Sequence, residues 1–122
     1  MNRPTIALAC IMRDEINHLP GFLDSIRGCF DEIWLTDTGS LDGSLEYVKN
    51  THASTIAGCP IITKQFTWID DFASARNYSM DGIKTDYVMW LDLDDRMSNK
   101  EEFIRWRDNV MQLADFWLAP YN

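Results

Sequence analysis

The chain has 122 residues, 46% hydrophobic and 25% charged, which is the size and balance of a single domain with a real core. Its net charge of -8 argues against nucleic acid or an anionic membrane as partner, and no stretch approaches the roughly 20 apolar residues of a membrane span. Cys10, Cys29 and Cys59 are odd in number and lack metal-ligand spacing, so they read as reduced, mostly buried thiols of a cytoplasmic protein.

Along the chain, strand and helix signals alternate. Ile6 to Met12 is a continuous apolar run, as expected for a parallel strand buried on both faces. It ends at once in Arg13-Asp14-Glu15 without a small-residue cleavage site, so it is a strand and not a signal peptide. Leu19, Phe22, Leu23 and Ile26 then fall on one helical stripe, with Pro20 acceptable in the first turn and Gly28 as terminator. A second strand is predicted over Glu32 to Thr36, followed by a helix carrying Leu41, Leu45 and Val48. A third strand is predicted over Ile61 to Phe66, then a helix begun by Asp70-Asp71 with Phe72, Ala75, Ser79 and Ile83 inward. A strand over Tyr87 to Leu91 follows. Ser98-Asn99-Lys100-Glu101 is a capping box for a helix burying Phe103, Ile104, Val110, Met111 and Ala114, and Asp115 to Ala119 reads as a last strand.

This alternation predicts an α/β fold with a mostly parallel sheet in one domain spanning residues 1–122. In such sheets ligands bind beyond the carboxyl ends of the strands. Acidic residues sit at those ends: Asp14 and Glu15 after the first strand, Asp37 after the second, Asp92 and Asp94 after the fourth.

Three segments carry chemistry. Asp92-Leu93-Asp94-Asp95 crowds three carboxylates at the end of an apolar strand, a repulsion that a divalent cation with a phosphate ligand relieves. The bland alternative is a solvated acidic turn. Asp37-Thr38-Gly39-Ser40-Leu41-Asp42-Gly43-Ser44 is a turn in which Asp37 could accept hydrogen bonds from a base or sugar; the rest reads as turn chemistry with Asp42 or Ser44 as N-cap. Arg76 lies five and six residues beyond Asp71 and Asp70, poor spacing for a helix ion pair, so its guanidinium suits a diphosphate or a base. His18 and His52 read as surface residues, and Trp68, Trp90, Trp106 and Trp117 as core or partner contacts.

Taken in order, Ala7 to Glu15, Asp37 to Ser44, Phe66 to Asn77 and Trp90 to Asp95 resemble the N-terminal half of family 2 glycosyltransferases. The resemblance implies the GT-A fold, a Rossmann-like, three-layer architecture of nucleotide-diphospho-sugar transferases, here in truncated form. It also implies a nucleotide-sugar site, most simply for a UDP-sugar, in an inverting, metal-dependent enzyme. By the same resemblance Glu15 borders the nucleoside, Asp37 hydrogen-bonds the base, and Arg76 lies near base and phosphates. Asp92 would lie near the ribose, and Asp94 at a Mn²⁺ or Mg²⁺ ion bridging the diphosphate. Arg13-Asp14 departs from the family, where Lys-Asn is commoner. Only 27 residues follow Asp95, so the half that supplies acceptor contacts and the general base is expected to be absent. Neither Asp108 nor Asp115 sits in anything like the base motif, and no catalytic base can be named.

Two other readings stand beside this one. A nucleotide-sugar-binding module without turnover, completed by another chain, would use the same residues. A phosphatase of the haloacid-dehalogenase type also sets D-x-D after an apolar strand, but it needs a small hydroxylic residue where Arg96 stands and carries the motif early in the chain. An unfinished sheet edge and many aromatics also suggest a homo-oligomer.

Overall fold

A computed structural model describes residues 4–94, 99–109 and 119–120 of the chain. The first apolar run forms β1 (Ile6–Met12), and then come α1 (Leu19–Ser25), β2 (Glu32–Asp37), α2 (Ser44–Lys49) and α3 (Thr51–Ala57). After them follow β3 (Ile61–Gln65), α4 (Phe72–Met80), β4 (Tyr87–Trp90), α5 (Lys100–Asn109) and β5 (Ala119–Pro120). The sheet order is β3-β2-β1-β4-β5. The first four strands run parallel, and β5 closes one edge antiparallel to β4. The mostly parallel α/β sheet expected from the sequence is therefore present.

The pleat of β1 divides the core. Ile6, Leu8, Cys10 and Met12 face one side, where they pack with Leu19, Phe22 and Leu23 of α1, Val48 of α2, Ala53 and Ala57 of α3, and Phe103, Ile104 and Trp106 of α5. Ala7 and Ala9 face the other side, with Ile83, Val88, Trp34, Met80 and Trp90. Small side chains there let α4 lie close over β1 and β2. The result is three layers, helix, sheet and helix.

Acidic residues at the amino ends of the strands are used for construction. Asp31 accepts the Ile6 N–H at 2.8 Å, and Asp86 accepts the Thr5 N–H at 2.8 Å. Arg107, buried on α5, donates to the carbonyls of Gly28 and Cys29 at 2.7 and 2.9 Å. It thereby ties α5 to the turn where Gly28, at φ +82°, ends the α1 segment.

Three expectations need correction. Leu41 precedes α2 and is 94% exposed, because its N–H is held by the loop after β1 while the helix starts three residues later. Phe72 opens α4 and is 53% exposed, turned toward the sheet's carboxyl end and not into the core. Helix α3 was not anticipated; its short Ala-containing segment carries too little periodic apolar signal to separate from a loop. Ser98, Val110, Met111, Ala114 and most of the last predicted strand lie outside the described residues.

Candidate functional site

The chain leaves β1 for β2 and β3 on one side and returns through α4 to β4 on the other. The crevice between the carboxyl ends of β1 and β4 is thus the topological switch point, where α/β sheets of this kind take ligands. Glu15 follows β1 there. Across from it, Asp92 and Asp94 follow β4, both exposed, with Leu93 between them only 2% exposed and packed in the core. The alternation is the device: one apolar anchor fixes two carboxylates at the rim.

The loop after β1 is locked to the loop after β2 by four hydrogen bonds. Asp14 N donates to Ser40 Oγ at 2.9 Å, and Leu41 N donates back to Asp14 Oδ1 at 2.7 Å. Glu15 N donates to Ser44 Oγ at 2.8 Å, and Ile16 N to Asp42 Oδ2 at 3.1 Å. Asp42 Oδ1 also accepts the Ser44 N–H at 3.0 Å, an Asx turn leading into α2. Asp14 sits at φ +52°, a left-handed conformation that Asp and Asn tolerate best among residues with a side chain. Asn offers the same Oδ1 acceptor and the same tolerance, so Asp14 keeps the building function of the commoner Asn.

Asp37 ends β2, 5% exposed. Its Oδ2 accepts the N–H groups of Gly39 and Ser40, both at 3.2 Å, and Oδ1 takes a longer share of Ser40 N at 3.4 Å. A cavity of about 540 Å³ opens beside it, lined among others by Gly39, Ser40, Leu45, Gln65, Thr67 and Trp68. A second, of about 350 Å³, is lined by Ile11, Arg13, Glu15, Thr38, Trp68 and Phe72. Thr38 and Trp68 line both, so the two cavities adjoin at the carboxyl ends of β1, β2 and β3.

The start of α4 closes the far side. The Trp68 indole N–H donates to Asp70 at 2.9 Å, with Asp70 at φ +58°, and Asp71 caps the helix by accepting from Ser74 N at 3.1 Å. Ser74's hydroxyl and amide hold the Asp71 carboxyl below its ordinary range. Both aspartates are thus otherwise engaged, and Arg76 does not pair with them. Its guanidinium lies 5.2 Å from the Trp90 ring centroid, on the ring that Phe72 meets edge-on at 6.2 Å.

Burial pushes the Glu15 carboxyl above its ordinary range, and the nearby charges of Asp94, Asp42 and Asp92 push the same way against His18. The crevice is therefore electronegative, and a cation placed there is favoured. No group of three or more His, Cys, Asp or Glu side chains able to hold a metal exists among the described residues. That donor set still fits Mg²⁺ or Mn²⁺, which take one or two carboxylates and complete their shell with phosphate oxygens and water.

Of the residues singled out from the sequence, Glu15, Asp92 and Asp94 meet at one crevice, and Asp37 lines the adjoining cavity. Arg76 lies over Trp90, the last residue of β4. Asp95 lies outside the described residues. Sequence reasoning missed Gln65, Thr67 and Trp68. Trp68 was expected in the core or at a partner contact, yet it lines both cavities. A signal was available for Gln65: it is the last strand residue before a turn, as Asp37 is.

A model of the family described as Glycosyl transferase family 2 matches residues 10–104. A TPR repeat-containing protein of Synechococcus elongatus is 33% identical over 92 residues, 75% of this chain and 21% of that protein. The SPbeta prophage-derived glycosyltransferase SunS of Bacillus subtilis is 24% identical over 99 residues, 81% of this chain and 22% of its own length. Among solved structures, the mannosyltransferase PcManGT from Pyrobaculum calidifontis, in complex with GDP-Man and Mn²⁺, superposes with a TM-score of 0.71 at 19% identity, over 85% of this chain and 31% of that one. S. aureus TarS in complex with UDP gives 0.62 at 14% identity, over 85% and 32%. At these identities the structural likeness is one of fold, that of GT-A glycosyltransferases. The chain spans about a fifth of the length of the curated relatives and under a third of the solved chains.

Proposed function

The chain belongs to glycosyl transferase family 2, and on that footing we propose that it carries the donor site of a metal-dependent, inverting glycosyltransferase. The observation that supports this most is the meeting of Glu15, Asp92 and Asp94 at the β1/β4 crevice, beside a cleft lined by Asp37. A nucleoside diphosphate spans such a layout, with the base toward Asp37 and the diphosphate toward Asp94. In this reading Glu15 borders the nucleoside, Asp92 takes the ribose, and Asp94, with help from Asp92, holds Mn²⁺ or Mg²⁺. Arg76 faces the phosphates from α4.

In the reaction, an acceptor hydroxyl attacks the anomeric carbon from the face opposite the diphosphate. The bond from that carbon to the phosphate oxygen breaks, the electron pair leaves with the nucleoside diphosphate, and a carboxylate elsewhere in the protein takes the hydroxyl proton. A divalent cation held by Asp94 and Asp92 would supply positive charge against the leaving diphosphate. This chain's residues orient the donor, so that its anomeric carbon is presented at the open end of the crevice. The three thiols outside any disulfide, Cys10 and Cys29 buried and Cys59 half-buried, suit a cytoplasmic setting.

The test is thermal stabilisation by UDP, GDP, CDP and ADP, each with and without Mn²⁺. A metal-dependent rise in Tm with at least one of them is expected, and none with any would overturn the proposal. Stabilisation with no sugar released from any nucleotide sugar would instead favour a binding module without turnover.

A further inference from the structure

Resting on the donor-site reading, in which Arg76 faces the diphosphate, we infer that Lys64 is a positioning residue of that site. It clamps the carboxyl end of α4 to β3 and so fixes where the middle of the helix presents Arg76.

Helix α4 has little apolar grip of its own. Its buried residues are Ala75 and Ser79, with Met80 half-buried at the end. An alanine and a serine bury little apolar area, so packing alone resists a small shift or rotation of the helix only weakly. Attachments at its two sides do more. Toward β4, Phe72 meets the Trp90 ring edge-on, and the Arg76 guanidinium lies over the same ring. Toward β3, the Tyr78 ring rests on Phe66, with centroids 5.3 Å apart, and on Lys64.

Lys64 is the polar part of the second attachment. Its register partner is Thr36, one residue before Asp37, so alternation puts it on the face opposite Asp37 and Gln65. It serves α4 there and not the cavity beside Asp37. Its ammonium donates to the carbonyl oxygens of Tyr78 and Asp81, both at 2.5 Å. It also lies 4.6 Å from the Tyr78 ring centroid and 5.3 Å from that of Trp34. Asp81 is the C-cap of α4, so a positive charge at this point complements the helix dipole. Burial pushes the Lys64 ammonium below its ordinary pKa range, against the pull of Asp81. The charge thus sits partly out of water, where such bonds are stronger. The clamp reaches Arg76 through the chain: Tyr78 is two residues on, and the Ser79 hydroxyl donates to the Arg76 carbonyl at 2.7 Å.

Calorimetric titration of UDP, GDP, CDP and ADP with Mn²⁺, each beside its own nucleoside, tests this through the ratio of diphosphate to nucleoside affinity. Arg76→Ala should lower that ratio about tenfold. Lys64→Met should lower it about fivefold, at a reduced Tm, and Lys64→Met with Arg76→Ala should lose no more than Arg76→Ala alone. Lys64→Arg keeps the charge and the donors and should regain most of the loss. Lys64→Gln keeps an amide donor and gives the same reading if the methionine variant does not fold. A clamp with no part in the site would lower Tm and leave the ratio at its wild-type value. That result overturns the inference, as do additive losses in the double variant. An unchanged ratio in Arg76→Ala overturns the placing of Arg76 at the diphosphate, and the inference with it. Failure of all four nucleotides to bind overturns the donor-site reading itself.

Discussion

The Asp14 carboxylate accepts the Leu41 backbone N–H at 2.7 Å, joining two loops that are 27 residues apart in the chain. The same residue holds a left-handed backbone at φ +52°. Asp14→Asn should therefore keep stability and nucleotide affinity. Asp14→Gly should lose the bond but not the backbone fit, and Asp14→Ala should lose both, at about 2 kcal/mol. The order of Tm values, Asn above Gly above Ala, checks this, since a merely electrostatic role would put Asn with Ala.

Glu15 carries a raised pKa, so the folded state holds its proton more tightly than the unfolded chain. Stability then falls as pH rises from the ordinary Glu value of 4.5 through the raised one, and the penalty is fully present only above the raised value. Glu15→Gln should be more stable than wild type at pH 7, with the difference vanishing below pH 4.5. Chemical denaturation across that range measures it. A Gln variant less stable at neutral pH would show that the pKa of the Glu15 carboxyl is not raised.

Asp94→Ala should remove the metal-dependent part of nucleotide stabilisation while leaving the stability of the unliganded protein within about 0.5 kcal/mol of wild type, as befits an exposed side chain. Leu93→Ala should act in the opposite sense. It empties a buried site, costs about 2–4 kcal/mol of stability, and loosens both flanking carboxylates. Denaturant titration with and without UDP and Mn²⁺ separates the two effects.

Arg76 is exposed and rests on Trp90. An exposed cation–π contact is worth about 0.5–1 kcal/mol, so Arg76→Ala should cost little stability. If the guanidinium meets the diphosphate, affinity for UDP should fall about tenfold, and affinity for uridine, which has no phosphate, should not change. Arg76→Lys should recover only part of the loss, because the planar fork is gone. An equal loss for uridine and UDP would reassign Arg76 to the base.

Much of the fold was legible. β1 announces itself because burial on both faces leaves no polar position from Ile6 to Met12, and α1 because its apolar residues recur at helical spacing. The acids at strand ends were legible for the same reason, since each stands where an apolar run stops. Leu41 and Phe72 were misplaced because a helical stripe continues on paper through a helix start that capping actually sets: the Asx turn of Asp42 in one case, Asp71 in the other. Trp68 was misread because aromatic character alone does not tell a core residue from one lining a cleft.

The sequence by itself determined where the four parallel strands lie, with ends within one residue, and that the sheet would be largely parallel, because periodicity and turn chemistry report burial over a few neighbouring residues. Only the tertiary structure decided that β1 lies between β2 and β4, which brings Glu15 to Asp92 and Asp94, that Asp37 is in register with Gln65, and that Ser40, Asp42 and Ser44 clasp the loop after β1. Those relationships rest on hydrogen bonds and side-chain packing between segments far apart in the chain. No local pattern records which strand a given strand will choose as its neighbour, or at what register.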